Sequence, residues 1–142
     1  MSSGAPDITG GVADQTLFQK GGTLFLGSFR AGVGAAADEE TDLISAMLIK
    51  GIRDTLPQES SHFTLLANDQ GNADFLLEGH INDFTHKGRF SRLSVDGEIW
   101  IRETGDRVFL FQHSSKIDFK TQDPKAVAYQ LGVSIAHFIG SH

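Results

Sequence analysis

With no cysteine in the chain, thiolate catalysis, cysteine-based zinc sites and disulfides are excluded together, and histidines, carboxylates and a glycine-rich loop are the groups to weigh for chemistry. None of the histidines His62, His80, His86, His113, His137 and His142 stands at the spacing of a metal-binding helix or finger, and they read as surface or packing residues. The carboxylates Asp38, Glu39 and Glu40 are explained by a helix start. Glu78, Asp83, Asp96 and Glu98 lie on expected strands, where a pair could do general acid/base work; a solvated or binding sheet face is the simpler account. The run Gly27-Ser28-Phe29-Arg30-Ala31-Gly32-Val33-Gly34 has the place of a phosphate loop between strand and helix but not its closing Gly-Lys-Ser/Thr. The residues that follow it are acidic, and negative charge there repels phosphate. No catalytic residue, metal ligand or cofactor is assigned from the sequence.

The bulk properties narrow the classes further. A net charge of −6 and a pI near 5.4 disfavour nucleic acid, whose binding needs clustered Lys and Arg. The length of 142 residues, with 39% apolar content and 11 Phe, fits one domain with a core of its own. No apolar run approaches the ~20 residues of a membrane helix, and no cationic apolar leader is evident. Residues 1–22, rich in Gly, Ser, Asp and Thr, read as a flexible tether, and residues 23–142 as the domain. Met1-Ser2-Ser3-Gly4 would suit a lipoprotein whose acylated Cys preceded Ser2, and equally an ordinary mobile start.

The elements that must position these groups follow from periodicity. Thr23 to Phe29 suits a largely buried strand whose edge, over Phe25 to Phe29, could meet a partner strand. The Gly/Ala-rich stretch 31–37 is expected to be a loop. Leu43, Ile44, Met47, Leu48, Ile52 and Leu56 recur at helical spacing, with acidic residues at the start and Pro57 as a stop. A short strand at His62 to Leu66 and a polar loop lead to three long strands. In the first, from Asp74 to Thr85, Phe75, Leu77, Gly79 and Ile81 oppose Glu78, His80 and Asn82. In the second, Leu93, Val95, Gly97, Ile99 and Ile101 oppose Ser94, Asp96, Glu98, Trp100 and Arg102. After a turn at Glu103-Thr104-Gly105-Asp106, Val108 to Phe119 returns as the hairpin partner. Asp123-Pro124 opens a last helix with the stripe Val127, Leu131, Ile135, Phe138 and Ile139. The class is therefore α+β, with order β-α-β-β-β-β-α and two helices packed on one face of a mainly antiparallel sheet. Trp100 has the parity of the other face and is a candidate interface or membrane aromatic. Phe109 and Phe111 share a face of the hairpin, as a second aromatic surface or as core.

Through Phe29, Leu56, Ala73-Asp74, Gly79, Ile81, Thr104-Gly105 and the last helix, residues 23–139 resemble a group of bacterial envelope lipoproteins. These share a domain similar to the N-terminal domain of TolB and to the curli secretion lipoprotein CsgG. Size and element order look nearest to the PelC family, outer-membrane lipoproteins of polysaccharide export. That resemblance implies a homo-oligomeric ring, reached through a head-to-tail interface, on the periplasmic face of the outer membrane. It implies an export channel as partner, an acidic surface that guides a cationic polysaccharide, and aromatic residues at the membrane. Asp96 and Glu98 are then the candidates for the acidic surface, and Trp100, Phe109 and Phe111 for membrane or subunit contact. Relatives often carry Trp after the Thr-Gly tip, where this chain has Phe109. Two alternatives remain: an auxiliary lipoprotein of a lipid-transporting ABC system, which shares a similar second half, and a small-ligand enzyme with an acid/base pair on the sheet.

Overall fold

The computed structural model describes residues 7–60, 62–68 and 70–142. Strands β1 (Thr9–Val12), β2 (Gly22–Ala35), β3 (Phe63–Leu66), β4 (Phe75–Phe84), β5 (Phe90–Ile101) and β6 (Arg107–Asp118) form a six-stranded sheet of order β1-β6-β5-β4-β2-β3. Helices α1 (Gln15–Lys20), α2 (Glu39–Glu59) and α3 (Pro124–Gly140) complete the domain. From β4 through β5 and β6 to β1 the pairing is antiparallel, whereas β2 runs parallel to both β4 and β3. The α+β class and the β-α-β-β-β-β-α order are those expected from the sequence, with β1 and α1 added in front.

That addition is a departure. Residues 8–22, read as part of a tether, are ordered: β1 pairs with Phe109–Gln112 of β6, and Asp14 caps α1 by accepting the Leu17 amide at 3.1 Å. Gly10 and Gly11 hide this strand from a periodicity reading, and Gly10 has a φ of 126° that only glycine adopts readily. Residues 1–6 of the expected tether lie outside the described residues. Helix α1 leads from the β1 edge of the sheet to β2, and its Phe18 is fully buried between Phe109 (5.4 Å between ring centroids) and Phe63 (5.6 Å). Composition pointed to a floppy arm, but one large aromatic with a site to fill is enough to fasten it.

Helices α2 and α3 cover one face. Asp38 caps α2, accepting from the Thr41 amide at 2.9 Å, and Asp123 caps α3 from Lys125 at 3.1 Å with Pro124 at the first helical position. Their buried stripes include Ile44, Leu48, Ile52 and Leu56 on α2 and Leu131, Ile135 and Ile139 on α3. The two helices cross at Gly51 and Gly132, where an added Cβ would strike the facing helix backbone at Tyr129 or Leu48. Pro57 does not end α2 at once. The helix runs to Glu59 because the carbonyl that loses its donor belongs to exposed Arg53, near solvent.

Strand β2 also runs further than expected, through the Gly/Ala stretch as far as Ala35, paired with β4 through irregular steps between Leu26 and Phe29 and between Ala31 and Gly34. Glycine and alanine carry a poor strand signal, but the β4 backbone supplies partners whatever the side chains.

Candidate binding face

The sheet face turned away from the helices carries the sequence-derived candidates Asp96, Glu98 and Trp100. Alternation along β4 and β5 puts Leu77, Ile81, Val95 and Ile99 against the helices, so Glu78, His80, Asn82, Asp96, Glu98 and Trp100 must emerge on the opposite side. Register then sets the neighbours: Glu78 lies directly across from Glu98, His80 from Asp96, and Leu76 from Trp100.

Two carboxylates facing each other across an antiparallel pair repel. Arginines from the flanking strands offset this, Arg107 at 2.9 Å from Glu98 and Arg30 at 3.9 Å from Glu78. Asp96 lies 3.3 Å from His80 Nδ1 and accepts from Asn82 Nδ2 at 2.7 Å. The face is thus a band of Glu78, Glu98 and Asp96 flanked by Arg30, Arg107 and His80. Sequence reasoning found two of the carboxylates as bare charges; the structure pairs both. The arginines were missed because Arg30 lies far from Glu78 in sequence, and Arg107, across the hairpin turn from Glu98, meets it only through strand register.

The side chains of this band are accessible. Asp96 is 46% exposed, Glu98 34%, His80 55% and Arg107 65%. A shallow hollow of about 510 Å³ lies beside them, lined by Thr9, Gly10, His80, Asp96, Gly97, Glu98, Arg107, Leu110, Phe111 and Gln112, and a smaller one of about 90 Å³ touches Arg30, Glu78 and Glu98. Beneath the hollow, Gly79 and Gly97 stand opposite each other, and the rings of Phe29 and Phe111 fill the space their missing side chains leave on the core side. Those rings sit 6.2 Å apart and would collide with a Cβ on either glycine.

Trp100 is half-buried at one end of this face, opposite buried Leu76. Phe109 and Phe111 are not on it. Both turn to the helix side and are almost wholly inaccessible, Phe109 against Phe18 and Phe138, Phe111 against Phe29. Their expected contact with a membrane or neighbour is therefore corrected: they are core residues, since their parity on β6 matches that of the inward residues of β5. Leu110, between them in sequence, is the residue of that segment that reaches solvent.

The histidines are distributed rather than gathered. His80 pairs with Asp96, His137 with Glu59 at 2.7 Å, and His86 with Glu40 while stacking on Phe119 at 3.7 Å. His113 meets the Asp7 carbonyl at 2.9 Å, and His62 lies against Phe18. Among the described residues no group of three His, Asp or Glu converges as a metal site would. His80 and Asp96, a pair on the open face with acid/base character, are exposed rather than set in an enclosed cleft.

The fold, a six-stranded sheet with two long helices on one face, has counterparts among solved structures. The structure is similar to PelC from Paraburkholderia phytofirmans, solved as a dodecamer. A single-residue variant of it gives a TM-score of 0.63 at 14% identity over 94% of this chain and 97% of that one, and a second crystal form gives 0.61 at 15% identity over 94% of each. Lipoprotein GNA1162 from Neisseria meningitidis gives 0.53 at 7% identity, over 84% of this chain and 99% of that one. At such identities it is the fold that is shared. No family model and no curated protein matches the sequence.

Proposed function

We propose that this chain is a non-enzymatic envelope lipoprotein subunit that closes into a homo-oligomeric ring at the periplasmic face of the outer membrane and aids export of a charged exopolysaccharide through a channel partner. The observation that carries the reading is the end-to-end correspondence of its fold with a protein that forms a dodecamer, over 94% of one chain and 97% of the other. Among the described residues no helix is long and apolar enough to cross a membrane, so in this reading attachment falls to a lipid anchor joined through the polar N-terminal residues. Trp100 is the aromatic offered for membrane or subunit contact.

The open face would serve the polymer. Exposed ion pairs are worth about 0–1 kcal/mol each, so a substrate amine can displace Arg107 from Glu98 or His80 from Asp96 at little cost. Repeated around a ring, these carboxylates would concentrate a cationic chain by field focusing, an effect screened over about 8 Å at physiological salt. The test is light scattering of the purified chain, in solution and on supported lipid, together with retention of a cationic glucosamine oligomer at two salt levels. A single closed mass is expected, with retention that falls with salt and with Asp96→Asn and Glu98→Gln. A monomer under both conditions, or retention indifferent to salt and to both substitutions, would overturn the reading.

A further inference from the structure

Beyond the acidic band the open face changes sign. Alternation puts Phe90, Arg92 and Ser94 of β5 on the same side as Asp96 and Glu98. Register sets Arg92 directly across from Lys116 of β6, and Ser94 across from Ser114. Two cations so placed repel, as Glu78 and Glu98 do further along the face. Arg30 and Arg107 offset the repulsion between those carboxylates. The cations have no such relief: among the described residues neither Arg92 nor Lys116 has a carboxylate at ion-pair distance. Lys116 does help to lower Asp118, but that carboxylate is held by Arg89 through two hydrogen bonds. Asp83, across from Ser94 on β4, pairs with neither cation, and residues 1–6 contain no carboxylate.

Both cationic heads are nevertheless held in place. Arg92 donates through Nη1 to Ser114 Oγ at 3.0 Å, and Ser114 shares a hydrogen bond of 2.8 Å with Ser94. Lys116 Nζ sits 4.1 Å from the centre of the exposed Phe90 ring, which also carries Arg89 at 4.8 Å. The bond to Ser114 takes one of the five guanidinium N–H groups and leaves the others for an acceptor from outside. An exposed pair of like charges, oriented by its neighbours and without a counterion of its own, has the character of an anion site.

We infer that Arg92 and Lys116, with the Ser94 and Ser114 hydroxyls, bind the carboxylate of an acidic sugar, so that the polymer on this face carries acidic as well as amino sugars. The inference rests on the polysaccharide reading above and assigns that polymer a second kind of charge. A guanidinium fork matches a planar carboxylate, the ammonium adds a point charge beside it, and the hydroxyls suit neighbouring sugar oxygens. Asp96 follows Arg92 along β5 at about 13 Å, so one chain can meet both signs. The net charge of −6 opposes a uniformly anionic polymer, whereas a mixed one finds the matching sign at each level. A lipid headgroup fits less well, because Trp100, the aromatic offered to a membrane, stands about 26 Å from Arg92 along the same strand.

Calorimetric titration of the full chain with trigalacturonate at low salt, with backbone amide shifts recorded alongside, tests the site. Binding is expected, with the shifts centred on Arg92, Ser94, Ser114 and Lys116. Arg92→Gln and Lys116→Gln should each weaken it by about tenfold while leaving the melting temperature unchanged or raised, since either change relieves the like-charge repulsion. Lys125→Gln, which removes an exposed cation at the start of α3, should leave the affinity unchanged. Equal weakening by Lys125→Gln overturns the site, because attraction would then be to charge in general. Inorganic phosphate or phosphatidylglycerol vesicles bound through Arg92 at least as tightly as trigalacturonate overturn the acidic sugar as its ligand. A chain that retains the glucosamine oligomer and ignores trigalacturonate overturns the inference and leaves the polysaccharide reading standing. The reverse result keeps the carboxylate site and removes the cationic polymer from that reading.

Discussion

Strand β5 presents Leu93, Val95 and Ile99 to the helices and Asp96, Glu98 and Trp100 to the other side, so a single backbone serves two surfaces with opposite requirements. On the helix side, stability comes from removing apolar area from water, and each residue depends on neighbours it cannot exchange. On the open side the groups are exposed and paired, and each pair can be broken cheaply. The first surface therefore tolerates little change and the second can be altered for binding. Gly79 and Gly97 join the two: Phe29 and Phe111 occupy the space beneath them, so the floor of the open hollow is set by core packing.

The largest test of that contrast is Phe109→Ala, which removes a fully buried ring touching Phe18 and Phe138. It should cost about 3–5 kcal/mol in denaturant unfolding; a loss below about 1 kcal/mol would mean the core face is not as closely packed as described. Next comes Gly132→Val, whose side chain would meet the Leu48 carbonyl at the helix crossing. Overpacking there should cost about 1–3 kcal/mol, read as a lower melting temperature.

On the open face, Glu98→Gln and Arg107→Ala should each change stability by no more than about 1 kcal/mol yet move cationic-oligomer retention in opposite directions. Glu98→Gln removes a carboxylate, whereas Arg107→Ala frees one. A large loss of stability in either would erase the distinction between the faces.

The smallest effect is on pH dependence. Arg89, bonded to Asp118 at 2.9 and 3.0 Å, holds that carboxyl below its ordinary value; the Thr41 amide does the same for Asp38, and the Tyr129 hydroxyl, followed by Lys50, for Asp54. A carboxyl depressed in the fold contributes stability that is fully present above its unfolded pKa of about 3.9 and is lost as pH falls through the lower folded value. Acid unfolding should therefore show little change from neutral pH to about 5 and a decline below about 4. Asp118→Asn should make that decline shallower, which thermal melts across the range would reveal.

Much of the scaffold could be read without coordinates. The Asp38 cap with its apolar stripe, the Asp123-Pro124 helix start and the alternation in β4 and β5 are local signals, because each is written in residues a few positions apart. Parity also assigned Asp96, Glu98 and Trp100 to one face. Parity alone did not assign Phe109 and Phe111 to a side, because a strand's alternation tells which residues share a face and not which face meets the helices.

What the sequence determined by itself is thus the class, the order of the main elements and the division of the central strands into two sets. Tertiary structure decided the rest. It turned residues 8–22 from an arm into a strand and a helix fastened by Phe18, since the site for that ring is built by Phe63 and Phe109 from distant strands. It carried the Gly/Ala stretch into β2 because β4 offers backbone partners that side-chain propensity does not register. It joined Arg30 to Glu78 and Arg107 to Glu98, since register, a long-range property of paired strands, fixes which charges meet.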